Sequence, residues 1–113
     1  MTDPQDLLPL RPVDLQILLV LANSQLHGYG LMKAVHEESG GRVALEVGSL
    51  YRVINRLLDT GLIARSDAAA DDDARRKHDY GITELGRATV RAETERLAQV
   101  LDTARARDLA GQS

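Results

Sequence analysis

A chain of 113 residues, 43% hydrophobic and 3% aromatic, is long enough for one core but not two, so we expect a single small domain packed with aliphatic side chains. The absence of Cys excludes disulfides, thiolate metal sites and thiol catalysis, and it fits a reducing compartment. The net charge of −3 argues weakly against nucleic-acid binding by the chain as a whole.

Positive charge is nevertheless concentrated in two short segments. Residues 42–66 carry four Arg and two acidic side chains, and residues 74–78 carry three basic side chains. The four Asp of residues 67–73 separate the two segments. Because a local patch decides nucleic-acid binding more than the total charge does, this distribution leaves a nucleic-acid partner open.

No segment of the sequence predicts a membrane anchor. The longest apolar run, residues 17–22, is too short to span a bilayer, and the first residues lack the basic start of a secretory signal. The simplest expectation is a soluble cytoplasmic protein without a membrane partner.

The first segments predicted are a flexible lead and an unusually apolar helix. Residues 1–10, with Pro4 and Pro9, are expected to be flexible. Pro12 suits a first helical position, and residues 13–22 form a helix that is apolar on nearly all sides. Such a helix must be buried on most sides, and we expect a partner chain to supply part of that burial.

A third helix, from Gly48 to its stop at Gly61, is the element around which the chain is organised. A second helix, from residues 27–30 to Gly40, precedes it. Apolar residues recur at helical spacing in the third helix, so one side faces a core: Leu50, Val53, Ile54, Leu57 and Leu58. The opposite side is rich in hydrogen-bond donors: Ser49, Tyr51, Arg52, Asn55 and Arg56. This pattern is typical of a DNA recognition helix, and the alternative is an ordinary surface helix with a solvated face.

Two short strands follow, over residues 62–66 and 78–82, with a polar connection long enough for a mobile hairpin loop. Three helices followed by a strand, a loop and a strand describe a winged helix-turn-helix domain over residues 11–83, with the loop as its wing. The predicted fold class is therefore mainly α with a small two-stranded β wing (α+β).

The last predicted helix, residues 84–109, is capped by Thr83 and would extend about 39 Å, too far for this small domain to bury. Residues 110–113 are expected to be a frayed tail. We expect a homodimer built on the first and last helices. Its interface residues would be Ile17, Val20, Val90, Leu97, Val100, Leu101 and Ala104.

Short motifs in a fixed order resemble the PadR family of transcriptional regulators over roughly residues 10–90. They are His27-Gly28-Tyr29, Gly40-Gly41, Gly48-Ser49-Leu50-Tyr51, Arg56-Leu57, Gly61-Leu62-Ile63, Arg76-Lys77, and Thr83 with Gly86-Arg87. The resemblance implies a dimeric winged-helix protein that binds double-stranded DNA. It also implies that the protein is usually a repressor, on an inverted-repeat operator near its own or a neighbouring promoter.

With this resemblance, the donor-rich side of the third helix is expected to face DNA. Arg52 and Asn55 would reach base edges or the adjacent backbone, because their side chains match guanine and adenine. The expected phosphate contacts are Ser49, Tyr51 and Arg56. Tyr29 would either place its hydroxyl on a phosphate or pack its ring on the first helix.

The basic wing residues, Arg75, Arg76 and Lys77, have three possible roles. They would contact minor-groove phosphates, solubilise the loop, or pair with the acidic run of residues 71–73. The resemblance also implies a small hydrophobic effector at the dimer interface, although nothing in the sequence decides whether one exists. No cofactor is predicted.

Two rival functions remain for comparison. The first is a winged-helix module that docks an acidic protein partner without binding DNA. The second is an enzyme, which we do not expect, because the sequence has no nucleophile–base set and no phosphate-cradling glycine loop. The spacing of His27, His36 and His78 matches no metal-ligand motif.

Overall fold

The computed structural model describes residues 2–66 and 79–111, which form four α-helices and one two-stranded antiparallel sheet. This is the predicted winged helix-turn-helix fold. The elements in chain order are a 3-10 helix Pro4–Leu7, α1 Pro12–Leu21, α2 Gly28–Glu38, α3 Val47–Asp59, β1 Ile63–Ser66, β2 Asp79–Ile82 and α4 Glu84–Ala106.

One aliphatic core joins the three-helix unit to the sheet. Helix α1 lies at its centre, because half of its ten residues are buried, in agreement with its nearly continuous apolar sequence. The buried members of the core are Ile17, Leu18, Val20, Leu21, Leu31, Val35, Leu50, Val53, Ile54, Leu57, Leu62, Ile63 and Tyr80. Burial of one side of α3 therefore fixes which of its residues point outward.

The base of the wing is an antiparallel pair in which Ile63 lies opposite Ile82 and Ser66 lies opposite Asp79. Backbone hydrogen bonds between Leu26 and Tyr80 attach the turn before α2 to the same sheet. The predicted wing cluster Arg75, Arg76 and Lys77, and the acidic run before it, lie outside the described residues.

The transition from α3 to α4 depends on one glycine and one cap. Gly61 has φ +80°, and the Leu62 amide donates to the Leu57 carbonyl, so α3 ends as predicted at a left-handed glycine. The Thr83 hydroxyl accepts from the Gly86 amide at 3.0 Å and donates to the Gly61 carbonyl at 2.6 Å. The N-terminus of α4 is thereby bonded to the C-terminus of α3.

The expectation of a flexible lead over residues 1–10 is corrected by the packing of this segment. Leu7 and Leu10 lie against the core, and the Leu10 amide donates to Glu93 Oε2 at 2.9 Å. Glu93 is only 1% exposed, and hydrogen bonding by the Arg96 guanidinium lowers the pKa of its carboxyl, with a smaller contribution from the Leu10 amide. A polar anchor on α4 therefore holds a segment whose prolines suggested only flexibility.

Helix α4 ends at Ala106 and not at Leu109 as predicted, because Asp108 takes a left-handed conformation with φ 60° and the Leu109 amide turns back to the Ala104 carbonyl. No helix in the described ranges is both long and apolar enough to cross a membrane.

Candidate nucleic-acid interface

Helix α3 presents an anchored side and an exposed side. Leu50, Ile54 and Leu57 are at most 1% exposed and fix the helix in the core. Arg52 and Asn55 are exposed on the opposite side, one turn apart, and neither makes a hydrogen bond or ion pair within the described residues. The structure therefore holds the backbone of α3 rigidly while two side chains that can read base edges remain available.

Tyr51 lies beside this exposed side and against the start of α2. Its side chain is 38% exposed, and its hydroxyl oxygen would be 2.5 Å from a Cβ at Gly28. The glycine in the His-Gly-Tyr motif therefore makes room for the tyrosine of the Gly-Ser-Leu-Tyr motif. Ser49, the other predicted phosphate contact on this helix, is partly exposed in the same first turn of α3.

Arg56 differs from the other predicted phosphate contacts of α3, because its side chain forms an ion pair with α1. Its Nη2 donates to Asp14 Oδ1 on α1, and the side chains of Arg56 and Asp14 are 33% and 9% exposed. The guanidinium thus compensates an almost buried carboxylate and ties α3 to α1. Its expected role as a phosphate contact stays a prediction, because its side chain is one-third exposed while it holds this ion pair.

Tyr29 points outward from the first turn of α2 and is 62% exposed. A cavity of about 150 Å³ beside it is lined by residues of α2 and α3: Tyr29, Met32, Val47, Leu50 and Tyr51. The alternative in which the ring packs on α1 is therefore not what the structure shows. The two tyrosines lie at one junction between α2 and α3.

Two residues at this junction have roles that were not predicted from the sequence, although His27 belongs to one of the family motifs. His27 caps α2, because its Nδ1 accepts from the Gly30 amide at 3.1 Å. Lys33 is exposed one turn after Tyr29, and both residues line a second cavity of about 250 Å³ along α2. The spacing of four residues from Tyr29 could have identified Lys33 as a cation on the same side of the helix.

The predicted dimer residues divide into two groups. Ile17 and Val20 are 0% and 3% exposed, because the core of the same chain covers them, so they are corrected as interface residues. The exposed apolar side chain of α1 is Leu19, at 39%. Val90 packs partly against the core, and Ala104 is half-buried.

The distal half of α4 carries the remaining predicted dimer residues. Leu97, Val100 and Leu101 are 37%, 53% and 41% exposed. They follow Val90 and Glu93 at helical spacing, so the side of α4 that packs on the domain near its start continues as an exposed apolar stripe.

Among the described residues, no group of three or more His, Asp or Glu side chains is arranged to hold a metal ion.

Comparison with known proteins gives one family and a consistent set of folds. Residues 17–92 match the model of the transcriptional regulator PadR-like family. No curated protein sequence matches the chain.

Three solved structures illustrate the likeness in fold. A complex of RosR from H. salinarum is 23% identical with a TM-score of 0.70, and the match covers 88% of this chain and 81% of that one. A transcriptional regulator from Clostridium thermocellum is 21% identical with a TM-score of 0.69, covering 83% and 87%. A PadR family transcription regulator from Clostridium difficile is 17% identical with a TM-score of 0.68, covering 83% and 95%.

Proposed function

Because this chain belongs to the PadR-like family of transcriptional regulators, we propose that it acts as a homodimeric repressor of its own or a neighbouring operon and reads an inverted-repeat operator with α3. Proteins of this family are DNA-binding regulators and not enzymes.

The observation that carries the proposal is the exposed side of α3. Arg52 and Asn55 are exposed and have no partner within the described part of the chain, while the opposite side of the helix packs on the core. An Arg side chain bonds guanine O6 and N7 with two donors, and Asn matches adenine N6 and N7. We assign base or near-base contacts to these two residues.

The junction of α2 and α3 supplies groups suited to phosphates. Tyr29 and Tyr51 carry partly exposed phenols, Ser49 carries a hydroxyl, and Lys33 adds a positive charge beside Tyr29. Contacts of these kinds position a protein on the duplex without reading its sequence. The wing cluster of residues 75–77 would extend the same set along the backbone of the flanking DNA.

The exposed stripe of α4 supports the homodimer. Leu97, Val100 and Leu101 lie on a helix of 23 residues, about 35 Å long, of which only the first half packs on its own domain. Exposed apolar stripes of this kind mark protein–protein contacts in water, and a second copy offers the same stripe. Leu19 of α1 is the additional apolar residue that we assign to this surface.

Such a dimer would place two copies of α3 in successive major grooves, about 34–36 Å apart on one side of the duplex. A small hydrophobic effector bound between the α4 helices would release DNA by favouring a dimer with a different spacing. This mechanism requires the effector to bind one dimer geometry more tightly than the other.

The experiment is a DNA-binding titration across salt concentrations with the duplex upstream of the coding sequence and a scrambled duplex of equal composition. The protein should prefer the upstream duplex, with affinity that falls steeply with salt as phosphate contacts release counterions. Arg52→Ala and Asn55→Ala should remove the preference, whereas Arg91→Ala on α4 is the matched control and should retain it.

Equal and weak binding to both duplexes would contradict a specific operator in the upstream region. An absence of binding at low salt would contradict the DNA-binding proposal and would favour the protein-docking alternative.

A further inference from the structure

Gly48 occupies the first turn of α3, directly after the first helical residue Val47. It is exposed, and a Cβ built on it would meet no atom of the described residues within 4 Å beyond its own turn of helix. Its φ lies outside the left-handed region that favours glycine. Nothing in the described fold therefore requires a glycine at this position.

Two other glycines in the helices have clear structural reasons. A Cβ at Gly28 would collide with Tyr51, and a Cβ at Gly86 would collide with the Leu62 carbonyl oxygen and with Ile82. These glycines allow two elements to approach each other closely. Gly48 has the same residue type but faces open space.

A glycine without such a reason is unfavourable in a helix. Relative to Ala it destabilises a helix by about 0.5–1 kcal/mol, because its backbone loses more conformational freedom on folding. No contact with the described residues offsets this cost at Gly48. A glycine of this kind suits a place where another molecule approaches the main chain closely.

The position of Gly48 identifies this molecule. Arg52 follows it by four residues and Asn55 by seven, so the three positions share one side of α3. We propose that DNA lies directly against the main chain of α3 at Gly48, in the space that a side chain would fill. This inference rests on the proposed DNA-binding function. It adds a residue whose missing side chain lets DNA approach the backbone of α3.

The proposal predicts an effect that depends on side-chain size and not on charge. A methyl group at residue 48 would hold the N-terminal turn of α3 away from the duplex, and the contacts of Arg52 and Asn55 would lengthen with it. Overpacking of a close interface by one methyl group weakens binding by about tenfold. A longer side chain should weaken it further.

The test compares Gly48→Ala and Gly48→Gln with the wild-type protein in two measurements: thermal unfolding without DNA, and affinity for the upstream duplex at one salt concentration. The matched control is Gly30→Ala, in the first turn of α2, because a Cβ there would contact His27 at 3.4 Å instead of facing outward. The unfolding midpoint of Gly48→Ala should equal or exceed that of the wild type.

DNA affinity should fall by about tenfold for Gly48→Ala and further for Gly48→Gln, while Gly30→Ala changes it less than threefold. Unchanged or tighter binding by Gly48→Ala, with wild-type binding intact, would overturn the inference and leave the proposed function standing. Failure of the wild-type protein to bind any duplex would overturn both.

Discussion

The phenol ring of Tyr51 lies so close to Gly28 that a Cβ at residue 28 would be 2.5 Å from the tyrosine hydroxyl oxygen and 3.0 Å from Cζ. Each residue belongs to a different helix, so this contact sets how closely the start of α2 approaches the exposed side of α3. The missing side chain at Gly28 therefore allows α2 and α3 to pack closely at this point.

Gly28→Ala should therefore displace the Tyr51 ring and lower the free energy of unfolding by about 1–2 kcal/mol. Tyr51→Phe removes the nearest atom, so the glycine substitution should cost less in that background. Chemical denaturation of the wild type, the two single variants and the double variant measures the coupling. Equal costs in both backgrounds would show that the ring does not determine the need for glycine.

Arg56 and Arg52 lie on the same helix, but we expect substitution of Arg56 to lower stability and substitution of Arg52 to weaken DNA binding. Arg56→Ala leaves the Asp14 carboxylate buried without its partner and should lower the free energy of unfolding by about 1–3 kcal/mol, less than for a fully buried pair because Arg56 is one-third exposed. Arg52→Ala should change stability by less than about 0.5 kcal/mol but weaken DNA binding.

The double variant Asp14→Ala/Arg56→Ala provides the control for the ion pair. Its loss in the free energy of unfolding should be smaller than the sum of the losses in the two single variants, because no charge remains unpaired. Strict additivity in chemical denaturation would argue that Arg56 does not compensate Asp14.

Gly86→Ala should be among the most destabilising single-methyl changes in this chain. The new Cβ would overlap the Leu62 carbonyl oxygen, a backbone atom of the α3–β1 connection that cannot rotate away. We expect a loss of about 1–3 kcal/mol or more in the free energy of unfolding. Gly48→Ala, where the methyl group meets none of the described residues outside its own helix, is the control and should not lower the unfolding midpoint. A stable Gly86→Ala would contradict the close approach of α4 to the α3–β1 connection.

The Glu93 carboxylate should make the stability of the protein depend on acid pH. Hydrogen bonding by Arg96 lowers its pKa in the folded state, so its contribution is fully present above the ordinary Glu pKa of about 4.3. That contribution is lost as the pH falls through the lowered value, because the unfolded chain then binds the extra proton first. Between about pH 5 and pH 3, wild-type stability should therefore fall more steeply than that of Glu93→Gln. If the unfolding midpoints of the two proteins changed equally with pH across this range, Glu93 would not be the source of the pH dependence.

The α4 stripe predicts a concentration-dependent dimer. Leu97→Glu/Leu101→Glu places two carboxylates in the proposed apolar interface and should halve the molar mass measured by light scattering. Gln99→Glu lies on the opposite side of the same helix and should leave the mass unchanged. A double variant that keeps the wild-type mass, or a wild-type protein that is monomeric at all concentrations, would contradict dimerisation through α4.

Local sequence patterns are sufficient for most of the fold. The apolar spacing of α3 identifies its buried side, Gly61 marks its end, and Thr83 marks the start of α4, because each depends on interactions within one turn of helix. The same spacing predicts the exposed positions of Arg52 and Asn55. The family motifs indicate the function, because they identify the chain as a PadR-like transcriptional regulator.

Only the tertiary structure decides which element covers each surface. Helix α1 is apolar on almost all sides, so periodicity cannot tell that Ile17 faces its own core while Leu19 faces outward. The partner of Arg56 lies 42 residues away on α1, and that of the Leu10 amide lies 83 residues away on α4. Spacing along one helix specifies a face, whereas these contacts exist only after distant segments have packed together.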